Sequence, residues 1–128
     1  METPIDPLHQ QSGYEFMAAA FEVYNELGHG FLEEVYQESL ELELTLRRIP
    51  FQSRPRLTLH YKNIPLKKQY EADLIVINEI VVELKAVKAL LPEHEAQLLN
   101  YLKATHKRVG YIVNFGANPK LEWKRRVV

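Results

Sequence analysis

Three charged residues interrupt stretches that otherwise read as buried strand. Asp73 stands at the head of Leu74-Ile75-Val76-Ile77, and Glu83 and Lys85 lie within Val81 to Val87. Side chains alternate across a strand, so Val82, Leu84 and Ala86 share one face of the second stretch. Val81, Glu83, Lys85 and Val87 share the other. An unpaired buried carboxylate is costly, so these charges must pair, bind a cation or sit at a sheet rim. Two readings compete. In one, Lys85 forms a cross-strand salt bridge with Glu83 or Asp73 at a solvated rim, the ordinary condition of charged residues. In the other, two carboxylates on neighbouring strands offer hard oxygen ligands to a divalent cation, and a strand carbonyl supplies a third. Lys85 would then steer a water or offset developing negative charge.

Further polar residues fall near this set. Gln97 and Tyr101 are four apart and share one helical face, with Glu93 and His94 near the same side. Glu33 and Tyr36 follow Gly30 at the start of another helix, where a glutamate also suits the helix dipole. Other chemistries find no support. The absence of cysteine removes disulfides, thiolate metal sites and thiol nucleophiles. His29, His60, His94 and His106 lack the spacing of a zinc site. Ser12, Ser39 and Ser53 lie in no Gly-x-Ser-x-Gly context, and there is no phosphate loop. The basic clusters Lys67-Lys68, Arg54 with Arg56, and Lys124-Arg125-Arg126 read as solvated surface. With 16 basic and 17 acidic residues the chain has no broad basic field, so any nucleic-acid contact must be local.

The elements that must position these residues follow from periodicity. Residues 1–13 read as a flexible polar tail and 14–128 as one domain; the 128 residues, 46% of them hydrophobic, suffice for a core. A helix from Tyr14 carries Phe16, Ala20, Val23 and Leu27 on one stripe and ends at Gly28. A second, from about Leu32 to Arg47, turns Leu32, Val35, Tyr36, Leu40 and Leu44 inward. Strands are expected over Arg56–Tyr61, Tyr70–Ile77 and Val81–Val87, with turns at Lys62–Pro65 and Asn78-Glu79. Pro92 opens a third helix to about Ala104, with Ala96, Leu98, Leu99 and Leu102 inward. Val109–Phe115 is a fourth strand and Leu121–Val127 a fifth at an edge. Strand, helix, strand from Val81 to Phe115 makes a βαβ unit with parallel strands. The class is α/β, a mixed sheet covered by helices. No apolar run approaches the ~20 residues that span a bilayer. Met1 to Pro7 lacks the pattern of a signal peptide, so a cytoplasmic protein with no membrane partner is expected.

The motif Gly30-Phe31-Leu32-Glu33-Glu34-Val35-Tyr36 resembles the signature of the GxxExxY protein family. The likeness continues through Tyr70-Glu71-Ala72-Asp73-Leu74, Ile80 to Ala86, His94 to Leu102 and Val113-Asn114-Phe115-Gly116, in order and over most of the chain. That family is placed in the PD-(D/E)XK nuclease superfamily, so the resemblance implies an αβββαβ restriction-endonuclease-like sandwich. It implies Asp73 as the first acid, Glu83 and Lys85 as the (D/E)xK pair, and Glu33 as a helical acid of the metal shell. Gln97 and Tyr101 match a Gln-x-x-x-Tyr element, and Ala72 stands where the superfamily name has proline. The implied activity is a Mg²⁺- or Mn²⁺-dependent nuclease, acting on DNA rather than RNA. Asp73, Glu83, the Leu84 carbonyl and Glu33 would hold the ion, Gln97 would position Lys85, and Tyr36 and Tyr101 would meet the substrate. The alternative is a catalytically silent module on the same fold that binds nucleic acid or protein, with a homodimer or a protein partner supplying further surface.

Overall fold

The computed structural model describes residues 6–128. Helix α1 spans Gln10–Leu27, α2 Glu33–Leu46 and α3 Pro92–Thr105. Strands β1 (Phe51–Ser53), β4 (Leu74–Val76), β5 (Ile80–Lys85), β6 (Val109–Asn114) and β7 (Glu122–Val127) form one mixed sheet in the order β1-β4-β5-β6-β7. Strands β2 (Arg56–Tyr61) and β3 (Ile64–Glu71) pair only with each other, as an antiparallel hairpin. The expected βαβ unit is present: β5 and β6 run parallel, joined by α3.

Helix α1 begins four residues before the expected Tyr14. Asp6 is the reason: its carboxylate accepts the main-chain N–H groups of Gln11 and Ser12 at 2.7 and 3.1 Å, partners that a first turn otherwise lacks. Of the expected tail, residues 1–5 lie outside the described residues, and 10–13 are helix. Gly28 caps the far end at φ 69°, a left-handed conformation that glycine adopts without strain.

The expected single strand from Tyr70 to Ile77 is instead two strands. At Ala72-Asp73 the chain leaves the hairpin and enters the main sheet, where β4 pairs with β5 and with the short, unexpected β1. The turn between β4 and β5 centres on Ile77 and Asn78, both with positive φ, and closes by a bond from the Glu79 N–H to the Val76 carbonyl.

Alternation gives the main sheet two different faces. Leu74, Val76, Ile80, Val82, Leu84, Val109, Tyr111 and Val113 face α1 and α2, where they meet Phe16, Ala20, Val23, Tyr36, Leu40 and Leu44 in the main core. Val81 and Ile112 face α3 and join Leu98, Leu102, Tyr70 and Ala72 in a smaller cluster. Gly110 lets α3 approach closely; a Cβ there would stand 2.9 Å from Leu98. Two inward expectations fail. Leu32 is 78% exposed because it precedes the helix in extended conformation. Ala96 lies on the outer side of α3, exposed.

Candidate active site

The site gathers where β4 ends early. Leu74 pairs with Val82, and beyond it the chain turns away, so β5 continues to Lys85 with no neighbour strand on the β4 side. The Leu84 N–H, which points to that side, would lose its ladder partner there. The Asp73 carboxylate replaces it, accepting at 2.6 Å. A strand residue's N–H and C=O point the same way, so the Leu84 carbonyl also faces Asp73's side. The Asp73 main chain is itself fixed: its carbonyl accepts from the Arg54 N–H at 3.0 Å and from the buried Gln37 side chain at 2.8 Å.

Glu83 and Lys85 project from the α3 face of β5, as alternation requires. With Gln97, Tyr101 and His94 of α3 and the hairpin's Tyr70 they line a cleft of about 590 Å³. Both side chains are half-buried. Glu83 accepts a hydrogen bond from the Tyr70 hydroxyl, and the Tyr70 ring stacks on Tyr101 with centroids 3.9 Å apart and planes 6° apart. No ion pair among the described residues involves Asp73, Glu83 or Lys85. The cross-strand salt bridge considered from the sequence is therefore not formed.

The electrostatics follow from that lack of pairing. Burial pushes the Glu83 carboxyl up to about 7, with Lys85 opposing the rise and Glu33 adding to it. Asp73 is also raised by burial, against the opposing effects of the Leu84 N–H and Lys85. Glu33, in the first turn of α2, is raised by partial burial and then by Asp73. All three carboxylates thus sense Lys85, and Glu33 feels Asp73 while Glu83 feels Glu33. Among the described residues no three acidic or histidine side chains form a ready-made metal cage. The donor set nevertheless fits a hard cation such as Mg²⁺, which ordinarily takes one or two carboxylates and fills its shell with water and phosphate oxygens. Two carboxylates and a main-chain carbonyl at the end of a strand are donors of that kind.

Tyr36 departs from its expected role. It is fully buried, stacks on Phe115 at 4.6 Å, and donates its hydroxyl to the Gly28 carbonyl at 2.6 Å while accepting from the Phe31 N–H. It braces the α1–α2 loop, with its ring buried and its hydroxyl already engaged. His94 caps α3 by accepting the Leu91 N–H on Nδ1 at 3.0 Å. Ala72, in the proline position, uses its N–H to bond the Pro55 carbonyl at 3.1 Å, a bond that proline would delete.

Three positioning residues were not singled out from the sequence: Tyr70, Gln37 and Asn114. Asn114 is fully buried; its amide oxygen accepts from the N–H groups of Val87 and Gly116 and its nitrogen donates to Glu122. It ties the ends of β5 and β6 together beside Lys85. The only signal for Tyr70 and Asn114 was their place in the quoted motif segments, and Gln37 gave none.

A mixed sheet with helices on both faces defines an α/β domain, and it carries two carboxylates near a strand break with a lysine two residues on. The sequence model of the PD-(D/E)XK nuclease superfamily matches residues 10–126, and the chain belongs to that superfamily. Its fold is similar to the crystal structure of SSO0001, with a TM-score of 0.58 and 19% identity over 73% of this chain and 48% of that one. The chain thus spans about half of that protein's length, and the likeness is one of fold. No curated protein matches the chain. No helix among the described residues is long and apolar enough to cross a membrane.

Proposed function

We propose that the chain hydrolyses phosphodiester bonds in nucleic acid, with DNA as the substrate and Mg²⁺ or Mn²⁺ as the cofactor. Asp73, Glu83 and the Leu84 carbonyl would hold the ion, with Glu33 reaching it directly or through water. When bound, the ion polarises the scissile phosphate and lowers the pKa of a water. The observation that carries this reading is a pair of half-buried carboxylates with no protein cation, next to a lysine that also lacks an ion-pair partner. Burial raises both acids, so a cation entering between them relieves an existing cost.

The chain's own groups take the remaining roles. Lys85 shares the cleft with Glu83, where it can orient a water and offset the negative charge gathering on the phosphate. Gln97, one helical turn before Tyr101, positions Lys85, and Tyr101 offers its half-exposed edge to a phosphate or base. The preference for DNA rests on analogy of fold, and a cytoplasmic location belongs to the same proposal.

The test is cleavage of labelled single- and double-stranded DNA and RNA in EDTA, Mg²⁺ or Mn²⁺, with Lys85→Ala beside the parent. Metal-dependent cutting by the parent and none by the variant is expected. Undiminished cutting by Lys85→Ala would remove the role given to that residue. No cutting, together with no thermal stabilisation by either metal, would favour a silent binding module instead.

A further inference from the structure

The basic pair Lys67-Lys68 and Arg56, solvated surface by the sequence reading, line the same cleft as Glu83 and Lys85. We infer that the β2–β3 hairpin is the wall along which the nucleic-acid backbone lies, with Arg56, Lys67 and Lys68 as its phosphate contacts. This inference rests on the nuclease reading and adds how the substrate is held.

Four observations converge on it. The cleft holds four cationic side chains, Arg56, Lys67, Lys68 and Lys85, against two carboxylates, Glu71 and Glu83, in a chain whose net charge is −1. None of the three hairpin cations has an ion pair or a side-chain hydrogen bond among the described residues, although Glu71 is the register partner of Arg56. Their charge is free for an external anion. The hairpin is also a ribbon of its own: among the described residues β3 pairs only with β2, leaving its other edge without a strand, and the stretch Lys67–Glu71 along it runs roughly 13 Å. Finally, the ribbon is fixed relative to the reacting groups. Tyr70 stacks on Tyr101 and donates to Glu83, while at the other end His60 stacks on His106 with centroids 4.2 Å apart and its Nδ1 lies 3.1 Å from the Ala104 carbonyl.

The other basic run is built differently. Arg126 pairs with Glu95 at 2.5 Å and Arg125 donates to the Leu8 carbonyl at 2.6 Å, so two of its three cations serve the fold. Arg54 is likewise engaged, with both oxygens of Glu34 at 2.8 Å.

Binding of fluorescein-labelled single-stranded and duplex DNA would be followed by anisotropy over a salt series. Ca²⁺ would replace the catalytic metal, because its looser coordination occupies carboxylates without the octahedral demand of Mg²⁺. The variant Arg56→Gln/Lys67→Gln/Lys68→Gln changes exposed positions only. The control Lys103→Gln/Lys120→Gln/Lys124→Gln removes equal charge from exposed positions outside the cleft. The hairpin variant should bind about 10- to 100-fold more weakly near 0.1 M salt, with a log–log salt slope shallower by about two to three; the control should track the parent. Equal weakening of the two variants, or none in either, overturns the hairpin assignment while leaving the nuclease reading intact. A parent that neither binds nor cuts DNA or RNA overturns both.

Discussion

The two faces of the five-stranded sheet are built on opposite terms. The face under α1 and α2 is closed and apolar: Phe16, Tyr36, Leu40, Leu44, Leu74, Ile80, Val82 and Leu84 are all fully buried. Its one polar member of that set, the Tyr36 hydroxyl, is satisfied by a carbonyl. The face under α3 and the hairpin carries a small apolar patch around Val81, Leu98 and Ile112, then gives way to Glu83 and Lys85. Apolar packing thus concentrates on one side of β5 and the candidate reacting groups on the other, within one strand, because side chains alternate. The α3 face gives up packing where Glu83 and Lys85 stand without an ion pair.

The largest effect that separates the faces is expected at Asp73. Asp73→Asn keeps an oxygen near the Leu84 N–H and removes the charge. Cleavage should fall about a thousandfold or more, with the melting temperature nearly unchanged. Metal-dependent kinetics beside calorimetry checks it, and a variant within tenfold of the parent would break the assignment. The opposite face should answer in reverse. Leu40→Ala empties part of a closed core and should cost about 2–5 kcal/mol in urea unfolding, while activity per folded molecule stays at the parental level. Loss of activity in that folded variant would show that the faces are coupled.

Next in size is the pH dependence held by Glu83. Its carboxyl is raised from an ordinary 4.5 to about 7, so the fold favours the neutral form and binds more protons than the unfolded chain between those values. Stability from this group is therefore fully present below 4.5 and is lost as the pH rises through about 7. Glu83→Gln keeps a neutral side chain at every pH. Relative to the parent it should gain up to ~3 kcal/mol above pH 7 and nothing below pH 4.5. Metal affinity should move the other way in the parent, increasing with pH as Glu83 ionises. A parent–variant difference that is flat with pH would sink the burial argument.

The contrast between the faces was partly legible in the sequence. Alternation along Val81 to Val87 placed Glu83 and Lys85 together, and the βαβ unit followed from periodicity, because both signals are local. What was lost depended on distant partners. The apolar run around Leu74 gives no sign that the chain changes sheets at Ala72-Asp73, since that step is set by pairing with Arg56–Thr58 on one side and Phe51–Ser53 on the other. Periodicity did turn Tyr36 inward, but nothing local shows that its hydroxyl is spent on the Gly28 carbonyl, eight residues away in a loop, rather than offered to a substrate. Lys67 and Lys68 read as solvated for the same reason: only the packing of β2 on α3 turns the hairpin toward the cleft.

The smallest predicted effect isolates Tyr70, which belongs to the α3 face both as packing and as a hydrogen-bond donor. Tyr70→Phe keeps the ring on Tyr101 and deletes only the hydroxyl. A donor strengthens its bond when the acceptor ionises, so this hydroxyl favours the charged Glu83. Without it the pH at which metal affinity develops should move upward, by about one unit or less. Tyr101→Leu makes the complementary change, removing the stack and leaving the hydroxyl. It should cost about 0.5–1.5 kcal/mol of stability and leave that pH midpoint in place. Isothermal titration of Mn²⁺ across pH reads the midpoint and urea unfolding reads the stability, both run on the two variants. If Tyr70→Phe loses stability without moving the midpoint, Tyr70 acts on this face only as packing, and Glu83 is tuned by burial, Lys85 and Glu33 without it.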